Sequence, residues 1–382
     1  MNFIKKILYS AACISGVFSL QATVLPHGVG ADLYYGEESS CFINRWSFQR
    51  LCDHVFDPRT GKFDQPTTRA RGGVTFNPSN VRMGDIIFVR RIDLFMQKMH
   101  PRISVPYIIV THGDYLDTTQ EGSLKYLDDE KIIAWFSIHP PKRWHEKYYP
   151  LPLGVAQRRE IFSRRNSYIE LFKKLRNEPK TKLLTGTFSL EDNEERVALA
   201  KQFAGKSYYS PSKQDLPFDR YLKELASSVF TLSPRGWGPD SYRTWEALLV
   251  GAIPIVKRGE YGVMECVKKN LKGSYSSYKS AIRSQLDRLY EHLPILVVDD
   301  WREVTKEFLE KKYAEITAKQ YNIELLYIDY WKAAIKAVRK EYLKNYSRGF
   351  KELESKKNRD AYRREKRKSS SSNQRRHRRD TV

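Results

Sequence analysis

Several features that define common protein classes are missing from this sequence. Only four cysteines occur in 382 residues, with no Cys-x-x-Cys pair and no Cys/His cluster at zinc spacing. There is no Gly-x-x-x-x-Gly-Lys phosphate loop, no Gly-x-Ser-x-Gly elbow and no His-Glu-x-x-His motif. These absences argue against a disulfide-rich scaffold, a zinc-finger protein, a P-loop enzyme, an α/β-hydrolase and a zinc protease.

Long apolar runs are also scarce, and the longest lies at the amino terminus. Lys5 and Lys6 precede an apolar run from Ile7 to Leu20, and small residues follow it. This pattern favours a cleaved export signal over residues 1–22. The alternative is a signal anchor, because residues 7–25 are just long enough to span a bilayer. Either way, we expect a protein that is secreted, periplasmic or lumenal.

Negative charge is in short supply. The chain has 67 Lys and Arg against 45 Asp and Glu, a formal net charge of +22. Residues 351–382 hold 13 basic and 5 acidic side chains, so 13 − 5 = +8 of that charge lies in the last segment. This segment has almost nothing to bury, which predicts disorder. It could bind an anionic polymer or a membrane surface. The sequence has no recognisable nucleic-acid recognition module, so we expect no specific nucleic-acid partner.

The pattern of strands and helices predicts an α/β protein with two units. Residues 23–82 are polar, rich in loops and aromatic, and the run 57–73 has the Pro, Gly, Thr and Asp content of an irregular connection. From Asp85 onward, short β-branched runs alternate with stretches that suit helices, as expected for parallel sheets. A second series of the same kind begins after a boundary between Gly154 and Arg165. The chain then ends in a helical region before the basic tail.

The segment 230–257 carries the chemistry, and it is predicted to form a strand, a loop, a helix and a strand. Gly236 and Gly238 in the loop let a ligand approach the backbone. Asp240 is suited to cap the helix that follows. The open N–H groups at such a helix start favour a phosphate.

Three charged side chains refine this expectation. Arg235 and Arg243 bring guanidinium groups, whose geometry fits phosphate oxygens. Glu246 lies three residues after Arg243 on the same helical face and can accept hydrogen bonds from a ribose. The alternative is that Arg243 and Glu246 only pair with each other on a solvated helix.

Two strings in this region resemble the signature of the exostosin-like glycosyltransferases (GT47-type). They read "SPRGWGPDSYRTWEALLVGAIPIV" and "LPILVVDDWREVT". The resemblance is strong over roughly residues 180–305 and weaker over 85–155. It implies the GT-B fold, with two Rossmann-like domains facing a cleft. Residues 23–158 would form the acceptor-side domain, and residues 159–350 the nucleotide-sugar-binding domain with its closing helices.

The resemblance also implies a reaction, in which a sugar moves from a nucleoside-diphosphate donor to a glycan or glycoconjugate with inversion at the anomeric carbon. No metal or other cofactor would be required, in keeping with the absence of Asp-x-Asp. The implied donor-binding residues are Ser233, Arg235, Gly236, Gly238, Asp240, Arg243 and Glu246. The sequence departs from the pattern at Trp237, where Asn is expected, and at Gly238, where many relatives carry a second Glu.

An inverting transfer needs a base that takes the proton of the acceptor hydroxyl. His112 and Asp114 follow a predicted strand of the first unit and are the candidates. The alternative for His112 is a hydrogen-bonded structural residue. A different class of function, a catalytically inactive polyanion-binding protein on the same scaffold, also fits Gly238 and the basic tail.

Overall fold

The structure of the protein is a computed structural model. It describes residues 42–56, 76–113, 124–138, 145–156, 165–190, 194–211, 216–236, 240–258 and 289–349. The predicted signal segment, Asp114, Trp237, Gly238 and the basic tail lie outside the described residues.

The first half of the chain forms a five-stranded parallel sheet, as the sequence predicts. Its order, β1-β2-β3-β4-β5, follows the chain. The strands are β1 (His54–Phe56), β2 (Ile86–Val89), β3 (Tyr107–Thr111), β4 (Ile132–Ser137) and β5 (Tyr148–Pro150). The three interior strands, β2, β3 and β4, are buried along their whole length, and continuous apolar runs of this kind are typical of parallel sheets covered on both faces.

The stretch before Asp57 contains regular elements that the loop-rich description of residues 23–82 left out, and the predicted irregular connection over 57–73 lies outside the described residues. Residues Arg45–Leu51 form helix α1, and β1 follows it directly. Asn44 and Ser47 start the helix with a reciprocal capping box. The aromatic residues that interrupt this polar stretch are core residues, and Phe48 has 0% exposure.

The second sheet also has five parallel strands, in the order β10-β9-β8-β6-β7. These strands are β6 (Lys182–Gly186), β7 (Tyr209–Pro211), β8 (Ser228–Leu232), β9 (Ile253–Lys257) and β10 (Leu296–Val298). The order reverses between β6 and β8, since the chain places β7 on one side of β6 and then returns to the other. Open α/β sheets bind ligands outside the carboxyl ends of their strands at such a switch point.

Helices separate most of these strands. In chain order they are α2 (Ile92–Lys98), α3 (Leu124–Leu127), α4 (Arg165–Arg176), α5 (Glu194–Phe203), α6 (Phe218–Ala226), α7 (Tyr242–Leu249), α8 (Lys306–Thr317) and α9 over residues 328–349. The α/β class is therefore confirmed. Among the described helices, none combines the length and the apolar character needed to cross a bilayer.

The chain divides into two compact units, Met1–Ile335 and Lys336–Val382. Both sheets belong to the first unit. The predicted domain boundary near residue 158 stays a prediction.

A buried polar network supports the amino ends of β3 and β4. Tyr107 Oη lies 2.7 Å from His100 Nδ1, and His100 Nε2 lies 3.0 Å from Asp129 Oδ2. Burial lowers the pKa of His100, although Asp129 opposes this. A neutral ring satisfies both contacts if Tyr107 donates to Nδ1 and Nε2 donates to Asp129, which accounts for the arrangement.

We predict that His100→Phe lowers the free energy of unfolding by about 2 kcal/mol, because it leaves the buried Tyr107 hydroxyl without a partner and removes one hydrogen bond of Asp129. Because the pKa of His100 is lowered in the folded state, the unfolded state takes up a proton at a higher pH than the folded state does. The contribution of His100 to wild-type stability is therefore complete above the ordinary pKa of 6.5 and declines as the pH falls below it.

Urea unfolding measured between pH 8 and pH 5 tests both parts, and the variant should show a weaker pH dependence than the wild type. His292→Phe, at an exposed position, is the matched control and should change stability by less than about 0.5 kcal/mol. Equal stability losses in the two variants would contradict the role given to His100.

Candidate functional site

The loop predicted to carry the chemistry lies at the switch point of the second sheet. β6 and β8 are parallel neighbours, with Thr185 beside Thr231. The strands therefore end at the same edge, β6 before Thr187 and β8 before Ser233. This is the edge at which open α/β sheets bind ligands.

Helix α7 presents its amino end to this loop. Ser241 occupies the N-cap position, and no side chain caps the helix there. The first N–H groups of the helix thus retain the partial positive charge that attracts anions.

The other end of α7 is held by two cations. Arg176 donates to Leu249 O from two guanidinium nitrogens, at 3.3 and 3.2 Å, and Lys180 Nζ donates to Val250 O at 3.3 Å. Burial, aided by the charge of Arg176, lowers the pKa of Lys180 to about 8. Cations at a helix carboxyl end stabilise it, so α7 is fixed at the end away from the loop.

Asp240 does not cap α7 as the sequence predicted; it is a buried hydrogen-bond centre. Its Oδ1 accepts from Ser241 N at 2.7 Å and from Tyr290 Oη at 3.1 Å. Its Oδ2 accepts from Trp245 Nε1 at 2.6 Å and from Leu153 N at 2.9 Å. Burial raises the pKa of Asp240, and the four donors oppose that rise. The carboxylate ties the start of α7 to the segment that follows the first sheet.

Glu246 contacts the same segment. Its side chain is 3% exposed, and it accepts from Ala156 N at 3.0 Å and from Tyr221 Oη at 2.8 Å. Arg243 does not pair with it, so the alternative of a simple Arg243–Glu246 ion pair on a solvated helix does not hold.

Arg243 lies against an aromatic ring. Its guanidinium carbon is 5.5 Å from the ring centre of Phe188, which follows β6. Its Nε is buried and has no hydrogen-bond partner among the described residues. A guanidinium held by stacking while one N–H is unused is ready to bind an anion.

Arg235, in contrast, is engaged by the protein. Its Nε lies 3.6 Å from Glu195 Oε2, and its carbonyl accepts from Arg196 Nε at 3.1 Å. A Cβ at Gly236 would lie 3.4 Å from an Arg196 nitrogen.

Ser233 is buried within the motif. Its hydroxyl lies 2.8 Å from Thr244 Oγ1, and its N donates to Ile255 O at 2.8 Å. In this conformation Ser233 joins the loop to α7 and β9.

His112 lies at the end of β3 with 0% exposure. Its Nε2 is 2.9 Å from Pro152 O. A carbonyl oxygen only accepts, so Nε2 carries a proton and is not the nitrogen that could act as a base. The ring is buried in this conformation, and the catalytic role of His112 stays a prediction.

Within the described ranges, no group of three or more His, Cys, Asp or Glu side chains could hold a metal ion. The expectation that the reaction needs no metal stays a prediction.

Sequence reasoning missed three residues of this region. Arg196 is one of the buried residues of α5, with Leu199 and Phe203. An arginine at a core-facing position of a helix is a signal that the pattern could have revealed. Tyr221 and Arg45 carried no such signal. Burial raises the pKa of Tyr242, and the charge of Arg45 opposes this, which places Arg45 near the first turn of α7.

The Asp-Asp-Trp string has a structural explanation. Asp300 Oδ1 accepts from Arg302 N at 2.8 Å and caps the 3-10 helix Trp301–Glu303. A helix start therefore accounts for this string. Trp301 Nε1 in addition donates to Glu195 Oε1 at 2.8 Å, which positions the carboxylate beside Arg235.

We predict that Asp240→Asn lowers the free energy of unfolding by about 3 kcal/mol. Each carboxylate oxygen of Asp240 accepts from at least one N–H. The side-chain NH2 of Asn would therefore face another donor whichever oxygen it replaced. Urea unfolding followed by tryptophan fluorescence measures the loss. Asp128→Asn, at a side chain that is 77% exposed, is the control, and a similar loss in both would refute the hydrogen-bond explanation.

Comparisons with known proteins agree with the resemblance seen in the sequence. Residues 190–351 match the family model of the RXYLT1 C-terminal domain. A probable glucuronoxylan glucuronosyltransferase of Arabidopsis thaliana is 27% identical over 146 residues. That match covers 36% of this chain and 30% of the relative, so the chain spans less than a third of its length.

Among solved structures, a crystal structure of a GtfA/B complex aligns with 68% of this chain and 58% of its own chain. Its TM-score of 0.29 and 11% identity are too low to support a conclusion. Residues 190–351 are thus similar to the RXYLT1 C-terminal domain, in agreement with the exostosin-like motifs of residues 230–305.

Proposed function

We propose that the protein transfers a hexosyl or pentosyl group from a nucleoside-diphosphate sugar to a glycan or glycoconjugate, with inversion at the anomeric carbon. The observation that carries the proposal is Arg243. Its guanidinium is stacked on Phe188, its Nε is unused within the described structure, and it lies at the uncapped start of α7.

The donor diphosphate would lie at the switch point of the second sheet, between the ends of β6 and β8. There the helix start and Arg243 offer positive charge, and Arg235 adds a second guanidinium that Glu195 partly neutralises. These groups would stabilise the charge that develops on the departing diphosphate as the bond to the anomeric carbon breaks.

Glu246 would accept from the donor ribose while it also holds the backbone at Ala156. A carboxylate has about four acceptor positions, so the hydrogen bonds from Ala156 N and Tyr221 Oη do not by themselves prevent this. The resemblance is what supports the ribose contact.

The transfer itself requires the acceptor hydroxyl to lose its proton as its oxygen attacks the anomeric carbon. The burial of His112 leaves Asp114 as the better of the two proposed bases. Asp114 lies outside the described residues, and its role is a proposal from its place after β3.

We further propose that the catalytic part works outside the cytosol, directed there by residues 1–22 as a signal peptide or held by residues 7–25 as an anchor. The basic tail would bring the enzyme to acidic glycans. A row of exposed cations precedes that tail on α9, formed by Lys336, Lys340, Lys344 and Arg348.

If transfer to a small acceptor survives removal of residues 351–382, the polyanion-binding alternative without catalysis is wrong.

We predict that Arg243→Ala weakens the binding of the cognate nucleoside diphosphate at least tenfold, because a hydrogen bond to a charged group contributes about 1.5–3 kcal/mol. Calorimetric titration with UDP and GDP identifies the nucleotide and measures the loss. Arg102→Ala, at an exposed position by the amino end of β3, should bind like the wild type. Unchanged affinity in Arg243→Ala would reject the site.

Glu246→Gln tests the carboxylate without removing its structural contacts. Gln can still accept from Ala156 N and can donate to Tyr221 Oη, since a hydroxyl accepts as well as donates. We therefore expect a melting temperature close to that of the wild type but donor affinity at least fivefold lower, measured by thermal denaturation and titration. Loss of stability with unchanged affinity would show that Glu246 is structural only.

A further inference from the structure

Thr187 carries a buried hydroxyl whose presence the fold does not explain. It is the first residue after β6 and is 9% exposed. Its Oγ1 has no hydrogen-bond partner within the described structure. Unsatisfied buried polar atoms are rare in native proteins because they are costly, and they often mark a ligand site.

Neighbouring hydroxyls at this end of the sheet are satisfied by the protein. Ser233 Oγ bonds with Thr244 Oγ1 at 2.8 Å, and Thr185 Oγ1 bonds with Ser228 Oγ at 2.8 Å. The difference shows that the sheet can pair its own hydroxyls where nothing else requires them. Thr187, the first residue after β6, is the exception.

The unsatisfied hydroxyl lies next to the other unsatisfied group of the site. Phe188, the residue after Thr187, supports the guanidinium of Arg243 at 5.5 Å. The buried Nε of Arg243 also has no partner among the described residues. One unused donor therefore follows β6, next in the chain to the ring that supports Arg243, and the other lies in the first turn of α7, whose start is uncapped.

The chemistry of these groups defines what could satisfy them. A guanidinium and a helix start only donate, and a hydroxyl can donate. Their common partner is an acceptor with several oxygens and negative charge. A diphosphate meets these requirements, and Arg243 has no carboxylate partner among the described residues that would compete for it.

We propose that Thr187 is a further donor-binding residue, whose hydroxyl donates to a phosphoryl oxygen of the diphosphate held by Arg243 and the start of α7. The proposal rests on the proposed function and refines it. In this arrangement Arg243 and Thr187 form the primary anion contact, and Arg235, shared with Glu195, contributes less.

The test uses the full-length protein and inorganic pyrophosphate as the probe, with UDP and GDP in parallel. Thr187→Val removes the hydroxyl and keeps the shape, and Thr187→Ser keeps the hydroxyl. We expect pyrophosphate binding to fall about tenfold in the valine variant, from the loss of one hydrogen bond to a charged group. The serine variant should stay within about threefold of the wild type.

Thermal denaturation without ligand supplies a second readout. Removing an unsatisfied hydroxyl should leave the melting temperature of Thr187→Val unchanged or raise it by a few degrees. Thr231→Val, at a buried threonine of β8, is the control and should bind pyrophosphate like the wild type.

The outcomes separate this inference from the proposed function. If the wild type and Thr187→Val bind pyrophosphate equally well, the role of Thr187 is wrong and the donor site stands. A valine variant with a clearly lower melting temperature and unchanged binding would show a structural role, which also overturns the inference. Failure of the wild type to bind pyrophosphate, UDP and GDP would overturn the proposed function and this inference together.

Discussion

The site depends on one buried carboxylate. Asp240 accepts four hydrogen bonds, from Leu153, Ser241, Trp245 and Tyr290. An ionised group with no access to water is tolerated only when donors surround it, and removing even one of them would leave charge uncompensated. Asp240 therefore links three segments: the loop after β8, the start of α7 and the segment after the first sheet.

The carboxylates of Asp240 and Glu246 differ in how strictly their hydrogen-bond partners require an acceptor. Around Asp240 most donors are N–H groups, which can only donate, so the residue has to be an acceptor at both oxygens. Glu246 faces one N–H and one hydroxyl, and the hydroxyl can reverse its direction. Asp240 is thus committed to structure, whereas the Tyr221 hydroxyl beside Glu246 can adapt to a change at that side chain.

Sequence reasoning succeeded where the determinants are local. The two strands and the helix of residues 230–257 follow from apolar runs, glycines and charged residues within a few positions of one another. The structure has them as β8, α7 and β9. It failed where partners are distant. Asp240 bonds to a residue 87 positions away and Glu246 to one 90 positions away, and no pattern in the sequence links such pairs. The neighbours of Asp240 alone suggest a helix cap, and only the fold reveals its other partners.

The same distinction applies to the two arginines. In the sequence they are equivalent, since each offers a fixed positive charge beside the same loop. The fold makes them different, because β10 leads to Trp301, which holds Glu195 next to Arg235, and β6 leads to Phe188, which supports Arg243 without neutralising it. A charge already balanced by a carboxylate gains less from an anion than one that is stacked on an aromatic ring. The strand order, by setting which loop lies beside which arginine, therefore decides where an anion would bind most strongly.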